Sequence, residues 1–169
     1  SPPPKKGNLS DPKVLRQHTE RLLKSPRSDT FVRNFSDSWL SLKDIDFATP
    51  DTQLYPEFEI ILKNAMLHET RAFIREMIDA DLSVTNVIHS ELGMLNERLV
   101  RHYRIPGITS SRITKIPLAP HHYRGGIITH RSILKVTANG TTTSPIIRGV
   151  WLLERIVKSL SQKIMVSAR

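Results

Sequence analysis

Apolar residues recur at helical spacing along most of the chain, and short segments with Pro, Gly or Asp separate the periodic stretches. We predict helices near residues 11–25, 29–42, 56–80, 83–89, 92–103, 127–136 and 144–157. Residues 108–123 contain Pro117 and Pro120, and this segment is predicted to be an irregular connector or a short edge strand. The pattern therefore predicts a mainly α fold: an irregular multi-helix bundle with one long Pro-containing connector.

Two of these helices carry specific packing expectations. The aromatic and apolar residues of the second helix lie at helical spacing, which predicts that they face the core: Phe31, Phe35, Trp39, Leu40 and Leu42. The last helix begins with a Ser144 cap and Pro145, and it is apolar on most sides, so we predict that it is buried with Trp151 in the core. Gly149 within it costs about 1 kcal/mol relative to Ala, so we expect a neighbour packed tightly against it.

Glu69 falls on the apolar stripe of the longest helix, four residues after Ala65 and four before Phe73. Burial of an unpaired carboxylate is costly, so this residue must be paired or protonated. One interpretation is a structural ion pair with an arginine from a neighbouring helix. The other is an acid or base with a tuned pKa. His68-Glu69 does not start a metalloprotease motif, because Ala72 stands where the second histidine would be.

The segment that begins at Arg124-Gly125-Gly126 holds the other candidate residues. Two glycines permit a positive φ, allow another backbone to come close, and leave N–H groups at a helix start where an anion could sit. Arg124, His130, Arg131 and Arg148 could converge on a phosphate, a carboxylate or a haem propionate. Alternatively, these arginines bind loop carbonyls and the acidic first half, Glu69 included. The catalytic candidates are Glu69 and His130, and the anion-binding candidates are Arg124, Gly125, Gly126 and Arg148.

The net charge of +9 is unevenly distributed. Residues 1–100 carry 13 Lys/Arg and 15 Asp/Glu, whereas residues 101–169 carry 12 Lys/Arg and only Glu154. A basic half is compatible with nucleic acid, an anionic surface or an acidic partner. Nucleic acid is disfavoured here, because aromatic residues are not interleaved with the charges and no binding motif is present.

The chain has no cysteine, which excludes disulfides, thiolate zinc sites and covalent haem c attachment within these residues. His121-His122 alone is weak evidence for a metal, so no metal site is predicted. No apolar run is long enough to span a bilayer. Residues 1–10 are predicted to be a linker and do not have the pattern of a signal peptide.

Several unusual strings resemble planctomycete-type domains of unknown function that occur with cytochrome c domains in large exported proteins. The strings NFSDSWLSL, LYPEFEIILKNAMLHETRAFI and LNERLVRHYRI resemble one such domain, and YRGGIITHRSILKVTANGTTTSPIIRGVWLLERI resembles a second, adjacent one. The resemblance predicts a first helical domain at residues 11–107 and a second at residues 108–158. Arg104 departs from the family pattern, which usually has Gly after His-Tyr.

The resemblance implies a scaffold or accessory module of an exported or periplasmic redox system. Its partners would be other domains of a larger protein or a cytochrome c domain. No cofactor is expected within this chain, although haem c is possible in other domains of full-length relatives. The atypical tail, residues 159–169, predicts a product truncated at the C-terminus. Two alternatives stay open: an enzyme domain with a buried site of Glu69 and an Arg or His, and a basic nucleic-acid-binding module.

Overall fold

A computed structural model describes residues 8–47, 50–51, 53–138 and 144–158. Within these residues, six α-helices and one two-stranded sheet confirm the mainly α fold. The helices are α1 (Pro12–Leu23), α2 (Ser28–Trp39), α3 (Ile60–Asp79), α4 (Glu97–Tyr103), α5 (Arg131–Val136) and α6 (Pro145–Leu152). A π-helical turn, Leu153–Val157, continues α6. Five short 3-10 helices lie at Asn8–Ser10, Leu42–Asp46, Val84–Val87, Pro120–His122 and Ile127–Thr129.

The sheet is formed by β1 (Leu92–Leu95) and β2 (Thr114–Pro117), which pair antiparallel so that Gly93 faces Ile116. The predicted helix at 92–103 is therefore wrong in its first turn, and α4 begins only after the Asn96 cap. The Pro-containing connector supplies β2, as the edge-strand alternative predicted. The missing side chain of Gly93 leaves space for Leu118 against the sheet, since a Cβ there would lie 3.2 Å from Leu118 Cδ2.

Several helix starts also differ from the prediction. Asp11, which the prediction places inside the first helix, instead caps α1 by accepting a hydrogen bond from the Lys13 N–H. Helix α2 begins at Ser28, so Asp29 lies in its first turn and does not cap it. The longest helix, α3, begins at Ile60 and not at Pro56. By contrast, Ser144 caps α6 as predicted, accepting a hydrogen bond from the Ile147 N–H. Asn139-Gly140, a pair typical of a tight turn, and the tail at 159–169 lie outside the described residues.

Helix α3 is the centre of the molecule, since it packs against α2, α4, α5 and β1. Two apolar clusters lie along it. The first combines side chains from both predicted domains: Val32, Leu40, Leu42, Phe73, Ile74, Val87, Ile127, Ile133, Trp151 and Ile156. The second is built from Leu62, Ala65, Met66, Leu95, Leu99, Val100 and Ile105. The first cluster therefore joins the two halves of the sequence in one core.

Of the three aromatic residues on α2, Trp39 packs against the first cluster as predicted, but Phe31 and Phe35 do not face the core. Phe31 is 54% exposed and Phe35 is 43% exposed, whereas Val32, Ser36 and Leu40 are buried. The rings of Phe31 and Phe35 stack on each other at the surface, 6.0 Å apart. The buried face lies one residue further along the helix, because Arg71 and Arg75 of α3 bind Asp37 and Ser28 and fix how α2 is turned.

Arg104 has a left-handed backbone, with φ of 57°, at the end of α4. Glycine adopts this conformation without steric cost and is the favoured residue just after a helix. The position at which the chain departs from the family pattern is thus one that favours Gly on physical grounds.

Candidate functional site

Glu69 lies in the interior on α3, with only 2% of its surface exposed. Its partner is the hydroxyl of Tyr103, the last residue of α4, which donates a hydrogen bond of 2.5 Å to Oε2. Burial raises the pKa of Glu69 to about 7, and the Tyr103 hydrogen bond and the charges of Arg124 and Arg131 partly oppose this shift. The side chain is therefore near its midpoint of protonation at neutral pH.

Two arginines approach the Tyr103 ring. The Arg124 guanidinium lies 3.4 Å from the ring centroid, which is a close cation–π contact, and that of Arg131 lies at 5.9 Å. The Arg124 side chain also donates to the Thr129 carbonyl at 2.8 Å, and the Arg131 backbone N–H donates to the Tyr103 hydroxyl at 3.3 Å. We call Glu69, Tyr103, Arg124 and Arg131 the Glu69 cluster. It connects α3 and α4 to the segment that precedes and starts α5.

The ion pair expected for Glu69 is thus replaced by a tyrosine hydroxyl. The charges of Arg124 and Arg131 act on the Glu69 carboxyl group. Both guanidinium groups also approach the ring of Tyr103, whose hydroxyl binds that carboxyl group. Burial lowers the pKa of Arg124 and raises that of Tyr103, so the environment disfavours charge on both side chains. A closed arrangement of this kind orients its members firmly, because each is held by more than one contact.

His130 belongs to a neighbouring buried network. Its Nδ1 lies 3.0 Å from the Thr70 hydroxyl, which lies 2.6 Å from the Ser132 hydroxyl. The ring also packs edge-on against Phe73, with 5.1 Å between centroids. Burial, with a contribution from Arg124, lowers the pKa of His130 to about 3, so the ring is neutral at physiological pH. His130 also breaks the predicted helix at 127–136 into a 3-10 turn and α5.

Gly125 and Gly126 allow two backbones to meet, as the sequence predicted. A Cβ at Gly125 would lie 2.6 Å from the Ser90 carbonyl oxygen, and one at Gly126 would lie 2.5 Å from that of Ile88. Gly126 also has a positive φ of 74°. The Gly125 N–H donates to the Thr129 hydroxyl at 3.1 Å. The atoms that face this Gly-Gly step are carbonyl oxygens, which do not attract an anion.

Arg148, the other anion-binding candidate, lies half-buried on α6 and is not among the residues that line the space beside Glu69. The structure therefore brings Arg124, His130 and Glu69 together around one small space and leaves Arg148 outside it. Among the described residues, no atom lies within 4 Å of the position of a Cβ added at Gly149, so they do not supply the tightly packed neighbour expected there.

The space beside Glu69 measures about 10 Å³ and is lined by Glu69, Tyr103, Arg124, Gly125, Gly126, Thr129, His130, Gly93, Leu95 and Leu118. This volume suits a single water molecule at most. The site contains an acid near its pKa, a tyrosine hydroxyl and a cation, which are groups used in proton transfer. A substrate would need the surrounding elements to separate before it could reach them.

A larger cleft of about 450 Å³ lies between α2 and α3, away from the Glu69 cluster. Its charged rim includes Arg33, Arg71 and Arg75. The Arg71 guanidinium is bound in bidentate fashion by Asp37, with both contacts at 2.8 Å. Arg75 is bound by Asp79, so carboxylates of the protein itself already neutralise two of the three arginines.

The sequence did not single out Tyr103 or the Thr70–Ser132 pair as site residues. In the predicted helix at 92–103, Tyr103 lies at helical spacing from Leu95 and Leu99, and that spacing is the available signal. A tyrosine on a buried face requires a hydrogen-bond partner, and Glu69 was the one buried acid in need of a donor. Thr70 and Ser132 carry no comparable signal, because small hydroxyl residues are common on every helix face.

His121 and His122 have adjacent rings, 4.3 Å apart, and His122 Nδ1 accepts a hydrogen bond from the Ala119 N–H. Within the described ranges, no group of three or more His, Cys, Asp or Glu side chains is placed to hold a metal ion. Over the same residues, every helix is too short or too polar to cross a membrane.

Fold and site together define a helical module with a closed polar cluster in its interior. Residues 4–105 match the family model described as PSD4, protein of unknown function (DUF1592), and residues 124–166 match PSCyt3, protein of unknown function (DUF1588). The first match covers more than half of the chain, and the chain belongs to the PSD4 family. These matches confirm the two adjacent domains of unknown function recognised in the sequence. The chain matches no curated protein and no solved structure.

Proposed function

We propose that this chain is a non-catalytic helical module that serves as a scaffold or accessory part of a cytochrome-c-linked redox protein. The observation that carries the proposal is the closed Glu69 cluster. It joins residues of the PSD4 match, Glu69 and Tyr103, to residues of the PSCyt3 match, Arg124 and Arg131. A scaffold requires a fixed arrangement of its parts, and a buried hydrogen-bonded cluster supplies one.

The name of the second family model supports the redox context, because it points to an association with cytochrome c. The partner would be a cytochrome c domain or another domain of a larger exported protein. The net charge of +9 favours an acidic partner surface. Export to the periplasm is part of the same proposal and rests on the family resemblance.

The enzyme alternative has one observation in its favour, since a pKa near 7 suits Glu69 to general acid or base catalysis. Against it stands the space beside the carboxyl group, which is far smaller than the several hundred Å³ of a typical ligand site. His130 contributes little to such chemistry, because its depressed pKa makes the neutral ring a weak base that does not take up a second proton at neutral pH.

A binding experiment tests the proposal. The chain is titrated with an acidic and with a basic c-type cytochrome at low ionic strength, and association is followed by calorimetry and by the Soret band of the haem. We expect saturable binding to the acidic cytochrome that weakens as salt is added. If neither cytochrome binds to the chain, the proposed partnership is contradicted.

A matched variant separates scaffold from catalyst. Glu69→Gln keeps the size and hydrogen-bonding capacity of the side chain but removes its acid function. We expect the variant to bind the acidic cytochrome with an affinity within about twofold of that of the original chain, because Glu69 is buried and does not reach the surface that a partner would contact. A reaction in the complex that depends on Glu69 would instead support the enzyme alternative.

A further inference from the structure

The outer face of α6 carries apolar side chains that nothing in the described residues covers. Ile146 is 79% exposed and Leu153 is 60% exposed, and Val150 and Val157 are each about half exposed. Their spacing of three to four residues places them on one side of the helix. We call Ile146, Gly149, Val150, Leu153 and Val157 the outer stripe. The opposite side of the same helix buries Trp151 and Ile156 in the core.

Exposed apolar surface of this length indicates an interface. We propose that the outer stripe pairs with the outer stripe of a second copy of this chain and forms an antiparallel two-helix contact. This pairing is independent of the proposed redox partnership, because it concerns how the chain associates with itself.

The positions along the stripe are self-complementary. In an antiparallel pair centred between residues 151 and 152, Ile146 faces Val157 of the second copy, and Val150 faces its Leu153. Gly149 then lies beside the same leucine. No atom of the described part of the chain lies within 4 Å of the Cβ position of Gly149, so Gly149 forms a notch that admits a large side chain. A two-fold pair uses each such contact twice.

The charges around the stripe permit this pairing. Glu154 and Lys158 are exposed and offset each other, whereas Arg148 and Arg155 are half-buried and lie on the side of the helix that faces the protein. A second copy would therefore meet no strong like charge. A helix that binds an anionic membrane surface needs cations along its polar flanks, and only Lys158 is so placed.

The area is sufficient for a moderate affinity. The apolar side chains of the stripe expose on the order of 500 Å² per copy, so a pair would bury about 1,000 Å², near the lower limit for specific interfaces. We therefore expect a reversible dimer with a dissociation constant on the order of micromolar. Its salt dependence should be weak, because the contact is mainly apolar.

Sedimentation equilibrium of the full chain over a wide concentration range tests the proposal. We expect a monomer–dimer equilibrium, and Leu153→Glu should weaken it at least tenfold without changing the helical circular dichroism signal. Leu15→Glu is the matched control, since Leu15 is 51% exposed on α1, and it should leave the equilibrium unchanged. Gly149→Leu should also weaken the dimer, because it fills the notch.

Four results would overturn the proposal. One is a monomer at every concentration, and another is a dimer that Leu153→Glu leaves intact. The third is a monomer that binds vesicles of phosphatidylglycerol and phosphatidylcholine through Leu153, which would assign the stripe to a membrane surface. If Leu153→Glu lowers the melting temperature of a monomer, the stripe is covered within the same chain and the dimer is again excluded.

Discussion

The two ends of the second half of the chain invert the usual distribution of polar and apolar residues. From Arg124 to Ser132, the chain encloses His130, Ser132 and the carboxyl group of Glu69. From Pro145 to Val157, it exposes the apolar outer stripe. Composition is therefore a poor guide to which part of this half lies inside.

The difference lies in the partners available to each region. At the first end, Glu69, His130 and Ser132 each have a hydrogen-bond partner, so part of the cost of burial is offset. The Nε atom of Arg131 is buried there without such a partner. The apolar side chains at the second end have no partner among the described residues, so their free energy of burial is still available for association. The polar contacts of the first region are made within the chain, whereas the apolar side chains of the second region can bind another surface.

The strongest test of this comparison uses the two sides of α6. Trp151→Ala removes a large side chain that is only 8% exposed, and it should lower the free energy of unfolding by about 3–5 kcal/mol. Val150→Ala, on the outer stripe, should change it by less than about 0.5 kcal/mol. Chemical denaturation of dilute protein measures both values. Similar effects of the two substitutions would remove the distinction between the two sides.

The next effect concerns Glu69 and depends on pH. The folded-state pKa is raised from 4.5 to about 7, so the stability that protonation provides is complete below pH 4.5 and is lost as pH rises through 7. Glu69→Gln imitates the protonated form. We expect it to match the original chain near pH 4.5 and to exceed its stability by on the order of 3 kcal/mol above pH 7.

Denaturant unfolding of both proteins between pH 4.5 and 8 gives this difference directly. His102 and His130 have pKa values lowered to about 4 and about 3, so they destabilise the fold as pH falls below 6.5. That opposite trend is present in both proteins and cancels in the comparison. A difference that stays constant with pH would contradict the raised pKa of Glu69.

A smaller effect is expected for Tyr103→Phe. The substitution keeps the ring under Arg124 but removes the hydroxyl that donates to Glu69 and accepts from the Arg131 backbone. Two buried groups lose a partner, which should cost about 1–3 kcal/mol in unfolding free energy at pH 7. Tyr123→Phe is the control, because Tyr123 is 91% exposed, and equal losses for both would argue against the cluster.

The smallest change in stability is expected for the glycines, one from each of the two regions. Gly149→Ala should stabilise the monomer by up to about 1 kcal/mol, because alanine favours the helix and meets no atom within 4 Å. Gly125→Ala should destabilise it, since the new methyl group would lie 2.6 Å from the Ser90 carbonyl oxygen. Thermal unfolding compares the two, and a loss of stability in both would show that Gly149 is also packed.

Periodicity was sufficient for the mainly α fold, for the position of α3 and for the core role of Trp151. It was insufficient for β1, because the apolar residues of 92–95 fit a helix as well as a strand and only pairing with β2 selects the strand. Periodicity was also insufficient to predict which side of α2 faces the core. An ion pair with Arg71 and a hydrogen bond with Arg75, each more than 30 residues away, decide which side of that helix is buried.

For the site, the sequence indicated the buried position of Glu69 and the close backbone approach at Gly125-Gly126. Its partner assignment was incomplete, since an arginine was expected and a tyrosine hydroxyl makes the contact. Whether Arg124, His130 and Arg148 converge depends on the angles between helices, which spacing along one chain does not encode. The outer stripe was misread for a related reason, because an apolar helix looks the same whether a core or a second molecule covers it.

The shared core has a consequence for how such a chain can be rearranged. Ile127, Ile133 and Trp151 pack in the same cluster as Val32 and Phe73, across the gap between the two family matches. A gene fusion or recombination event that separated the two matched segments would leave each piece with only part of the apolar core. The pair should therefore be inherited, expressed and exchanged between proteins as one indivisible unit.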